Sequence, residues 1–102
     1  MSRIQALTEM LFHDPANAFA RYGLAIEYSN SGQLDQAITE FQRLLAAHPD
    51  YTAGYFMAAQ TLAKCDLRDD AVKMLREGIA AAEKKRDTHA QSEMQAMLDE
   101  MV

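Results

Sequence analysis

Apolar residues recur at helical spacing along the whole chain and nowhere alternate in the manner of a strand. Ala37, Ile38, Phe41, Leu44 and Leu45 fall on one face, while Gln36, Thr39, Glu40, Gln42 and Arg43 lie elsewhere. Ala71, Val72, Leu75 and Ile79 repeat that arrangement. Such one-sided stripes predict amphipathic helices. The segment ending at Asn30 differs, because Leu24, Ala25 and Tyr28 make one stripe and Phe19, Tyr22 and Ile26 make another. A helix with two apolar faces is either sandwiched or presents one of them to a ligand.

Capping signals divide the chain into six helices. Ser2 with Gln5 predicts a capping box for a helix ending near His13. Asp14 before Pro15 predicts the start of a second, reaching about Asn30, where Gly32 supplies the left-handed residue that closes it. A third is expected from near Asp35 to Ala47, stopped by Pro49, which disfavours helical geometry at His48. Asp50 is expected to cap a fourth that ends about Lys64. Asp69 and Asp70 open a fifth, and the run Lys84-Lys85-Arg86 complements its dipole. Thr88 with Gln91 predicts a second capping box and a final helix.

Pro15 and Pro49 are 34 positions apart, and a shift of 34 aligns Leu7, Phe41 and Leu75, then Leu11, Leu45 and Ile79. The same shift pairs Ala37 with Ala71, Ala25 with Ala59 and Tyr22 with Phe56. This pattern resembles the tetratricopeptide repeat, whose signature is Trp-x2-Leu-Gly-x2-Tyr, Ala-x3-Phe and Pro. Residues 18–51 read Arg21-x2-Leu24-Ala25-x2-Tyr28, Ala37-x3-Phe41 and Pro49. Residues 52–85 read Tyr55-x2-Ala58-Ala59-x2-Leu62 and Ala71-x3-Leu75, with Glu83 where proline would fall. The resemblance implies an all-α, right-handed superhelical solenoid of antiparallel helix hairpins, one domain over residues 1–102. Within it, residues 1–17 form an N-terminal half repeat with Leu7, Leu11 and Pro15 in phase. Two repeats follow over 18–51 and 52–85. Residues 86–102 form a C-terminal capping helix, in which a one-residue shift places Ala90, Met94 and Met97 on core positions.

The resemblance also implies a concave groove lined by the first helix of each repeat. Its lining positions fall on Phe19, Tyr22, Ile26, Ser29 and Asn30, then on Ala53, Phe56, Gln60, Ala63 and Lys64. Chaperone-binding members clamp a terminal carboxylate with Lys and Asn at positions that here hold Tyr22 and Ile26, then Phe56 and Gln60, so the clamp is missing. An aromatic groove with one Lys at its edge implies an apolar or amphipathic segment of another protein as partner. The alternative is a structural scaffold, a weak homodimer paired through its end helices.

Composition narrows the remaining classes. The 102 residues are 49% hydrophobic and 25% charged, and a compact fold of this mass buries about 65% of the unfolded surface. A net charge of −5, shared by both halves, supplies no footprint for nucleic acid. No apolar stretch approaches the roughly 20 residues that span a bilayer, and Gln5 and Glu9 interrupt what a secretory signal would need. Cys65 is alone, which implies no disulfide framework, and a cytoplasmic protein is expected. His13, His48 and His89 offer no closely spaced pair for zinc. Asp69-Asp70 is accounted for by its place at a helix start, and no phosphate loop or hydrolase motif occurs. A non-catalytic protein without cofactor is the expectation. Met94, Met97 and Met101, with Ala90 and Leu98, then read as the inner face of a lid whose outer face carries Gln91, Glu93, Gln95, Asp99 and Glu100, the alternative being a Met-rich binding face.

Overall fold

The computed structural model describes residues 1–102 as six helices: α1 Arg3–His13, α2 Ala18–Asn30, α3 Leu34–Ala47, α4 Thr52–Lys64, α5 Arg68–Lys85 and α6 Thr88–Met101. Each helix packs on the next in the chain, the pattern of an all-α solenoid. Two further pairs approach closely through their backbones, α2 with α4 and α4 with α6, whereas the backbone of α3 stays farther from those of α1 and α5. The even-numbered helices therefore line the inner side of the curve and the odd-numbered ones splay outside it. The result is a slab of 40 × 29 × 18 Å. Its radius of gyration of 13.4 Å slightly exceeds the roughly 12.8 Å of a rounder domain this long.

Several helix starts differ from the sequence expectation. Ser2 and Gln5 do form the capping box of α1. Asp14, however, ends α1 by donating its N–H to the Met10 carbonyl, and Asn17 caps α2 by accepting from the Ala20 N–H at 3.0 Å. Pro15 sits in the intervening turn. At α4 the cap position belongs to Tyr51 and not Asp50, and no side chain closes it. At α6 the cap is Asp87, whose carboxylate accepts from Ala90, so Thr88 is already helical. At α2 and α6 neighbouring polar residues compete for the cap, and the winner is the one whose oxygen reaches an N–H three residues on.

The 34-residue period is visible in the turns. Gln33 donates to Tyr28 and Leu67 to Leu62, at 2.9 and 3.0 Å, both bridging a residue in the left-handed region. In the first turn that residue is Gly32 (φ +80°); in the second it is Asp66 (φ +60°). The first signature position also repeats its role despite changing residue. Arg21 donates to the Pro15 carbonyl at 3.3 Å and Tyr55 to the Pro49 carbonyl at 2.7 Å. The Arg21 guanidinium is further bonded to Glu40, whose other oxygen accepts from Arg43 at 3.0 Å. Glu40 is buried, and this network satisfies it.

Three apolar clusters make the core, each spanning consecutive helices. Leu7, Leu11, Ala20 and Leu24 join α1 to α2. Ala25, Ala37, Phe41, Leu44 and Ala58 join α2, α3 and α4. Tyr55, Ala59, Leu75, Ala82, Met94 and Leu98 join α4, α5 and α6. On α6 it is Leu98 that is buried with Met94, while Met97 is only half-buried. The physical reason is length. With no proline at position 83, α5 runs 18 residues against 14 for α3 and ends on Arg86 in the left-handed region. The start of α6 then falls 20 residues after that of α5, against 18 between α3 and α4, an offset of two and not one.

The last interface is the tightest. A methyl group on Gly78 would lie 2.5 Å from Met94 Sδ and 2.5 Å from Tyr55 Cβ, and the second of these is too close to the backbone to yield. Gly23 instead faces Leu7 at an ordinary 3.4 Å. Replacing Gly78 by Ala should therefore destabilise the fold by about 1–3 kcal/mol through overpacking. The same change at Gly23 should stabilise it by about 0.5–1 kcal/mol through helix propensity. Chemical denaturation of the two variants checks the pair; equal shifts would mean that Gly78 is not clamped between Tyr55 of α4 and Met94 of α6.

Candidate functional site

The inner curve holds a recess of about 280 Å³ between α2, α4 and the start of α6. Tyr22 from α2 and Phe56 and Met57 from α4 supply its apolar wall. Asp87, His89 and Glu93 from α6 supply the opposite rim. Tyr22 and Phe56 sit 34 positions apart, and the repeat turns them to the same side of successive helices. Both are half-buried. Tyr22 also meets Tyr51, with ring centroids 5.2 Å apart, and burial raises both phenol pKa values above 10.0.

The other groove positions expected from the sequence are distributed more widely. Phe19 is 70% exposed on α2, an unusual setting for so large an apolar ring. Ile26 is half-buried and packs on the central cluster. Gln60 is half-buried, and Asn30 and Lys64, the final residues of their helices, are exposed. None of these five lines the recess. Ser29 does not face the groove but is buried, 3.2 Å from the Thr61 hydroxyl. Thr61 already donates to the Met57 carbonyl, so Ser29 donates to Thr61 and ties α2 to α4.

The rim carries no motif in the sequence. Asp87 is held by two donors, the Ala90 N–H at 3.1 Å and the Thr52 hydroxyl at 3.1 Å. The backbone bond first, then the hydroxyl, keep its carboxyl below the ordinary 3.8. This side chain both starts α6 and fastens it to α4. Glu93 lies one turn beyond His89, 3.3 Å from its ring. No group of three or more His, Cys, Asp or Glu side chains is arranged to hold a metal ion. No helix is long and apolar enough to cross a membrane.

Known proteins match this architecture. A family model described as a tetratricopeptide repeat fits residues 4–54 and again residues 30–98. A TPR repeat-containing protein of Pseudomonas aeruginosa is 28% identical over 95 residues, covering 93% of this chain and 90% of that one. The solution structure of a tetratricopeptide repeat domain protein from Salinibacter ruber superposes with a TM-score of 0.82 at 28% identity, covering 86% and 89% of the two chains. The TPR2B domain of yeast Sti1, solved as a pHsp70 complex, has a TM-score of 0.89 over 96% of this chain and 78% of that one. At 15% identity it speaks for the fold alone.

The Asp87 contact predicts a pH signature. Because folding lowers this carboxyl's pKa, its stabilising effect is complete above the ordinary value of 3.8 and is lost as the pH falls below it. In Asp87→Asn the cap acceptor survives and the titrating charge does not. The stability gap between wild type and variant should therefore be widest near neutral pH and close in acid, as measured by urea denaturation across pH. A gap that stays constant would mean the carboxylate's charge plays no part in seating α6.

Proposed function

We propose that this chain, which belongs to the tetratricopeptide repeat family, is a protein-interaction module whose inner groove takes an apolar or amphipathic segment of another protein. Members of the family generally act as non-catalytic interaction modules. The observation that carries the reading is the pairing of Tyr22 and Phe56 on one recess, with Phe19 exposed on the same helix as Tyr22. Half-buried aromatic rings bury much additional apolar area on contact, and such rings dominate binding energies. A displayed library of random peptides, selected against the intact chain, tests it. Selected peptides should be rich in apolar residues and should bind Tyr22→Ala and Phe56→Ala more weakly by about 1–2 kcal/mol each. Peptides indifferent to both substitutions would place the binding face elsewhere.

A second reading, a scaffold that pairs through its end helices, is supported by Phe12, which is 81% exposed on α1. It predicts a concentration-dependent dimer in light scattering that Phe12→Ser abolishes. A monomer at every concentration would remove it.

A further inference from the structure

Resting on that reading of the groove, we infer that its occupant is cationic: a lysine or arginine side chain, set among apolar residues, enters the recess between Tyr22 and Phe56 and the carboxylates of Asp87 and Glu93. Charge on the lining is one-sided. Two carboxylates and one imidazole border the recess, and no lysine or arginine does. The nearby Lys85 ammonium is directed to the Asp50 carbonyl, 3.3 Å away.

Asp87 is held ionised by its two donors, one to each oxygen, and every carboxylate oxygen has a second lone pair. Those remaining lone pairs are acceptors for an incoming N–H. Glu93 has only the His89 ring as partner, on a side chain 47% exposed. A contact so solvated is weak, and a guanidinium or ammonium can displace it. The opposite wall suits the same ligand. Aromatic rings attract cations through their quadrupole, and the aliphatic stem of Lys or Arg covers apolar surface such as Phe56 and Met57. An acidic segment would instead meet two like charges, and the chain's net charge of −5 steers encounter the same way.

The test uses the displayed peptide library selected against the intact chain, followed by fluorescence anisotropy with the enriched peptides. Glu93→Gln alters an exposed position, and Asp87→Asn keeps a capping residue, so thermal melts should show both folded at the assay temperature. Enriched peptides should carry Lys or Arg beside apolar residues and bind each variant about fivefold more weakly, the size of a partly solvated charge contact. Replacing the peptide's cationic residue by Gln should erase that difference. Peptides that need Tyr22 and Phe56 but carry no positive charge, and bind Glu93→Gln as they bind wild type, would overturn this inference and leave the groove standing. Enrichment of acidic peptides would also overturn it. Peptides indifferent to Tyr22→Ala and Phe56→Ala, or no enrichment at all, would overturn both.

Discussion

Two antiparallel helices approach closely only where one of them carries nothing bulky at the crossing, and this constraint governs every hairpin of the chain. Ala20, Ala25, Ala37, Ala59, Ala71 and Ala82 have no exposed surface at all. The larger side chains interlock around them. Leu44 of α3 presses on Gly54 of α4, and in the next hairpin the roles reverse, with Met94 of α6 pressing on Gly78 of α5. Each swap keeps large opposite small, which is how a core reaches solid-like density without strain. Seating α6 in this way also closes the groove, because the acidic rim belongs to that helix.

Polar connections fix what the apolar contacts leave free. Arg21 and Tyr55 hold their helices to the preceding proline turns through chemically different donors. Ser29 and Thr61 pin α2 to α4 inside the core, and Thr52 with Asp87 does the same for α4 and α6 at the groove's edge. No buried side-chain nitrogen or oxygen is left without a hydrogen-bond partner. Arginine in place of the family's tryptophan at position 21 is thus accommodated by Glu40, a buried acid that the amphipathic pattern assigned to a polar face.

The solenoid was legible because its information is periodic. The stripes of α3 and α5, the 34-residue shift and the left-handed closure at Gly32 all follow from local spacing, and Tyr22 and Phe56 emerge from the same shift. Helix starts were less legible, since Asp14, Asn17, Asp87 and Thr88 are all chemically able to cap and only geometry selects among them. The groove's rim was hidden for a related reason. Its register depends on how far α5 continues, which no single residue announces. Two signals bear on it together: the lack of proline at 83, and the spacing of Met94 and Leu98, which matches Ala58 and Leu62 at an offset of 36.

Helix α6 is an integral wall of the fold, held by Met94 against Gly78 and by Asp87 against Thr52. Native-state hydrogen exchange measures this directly. Terminal units of a solenoid can open alone, but the account predicts that the amides of Met94 to Leu98 exchange through the same opening as those in the middle of α4 and α5. Protection in α6 that is lost at far lower denaturant than in α5 would contradict it, and with it the groove built on that helix.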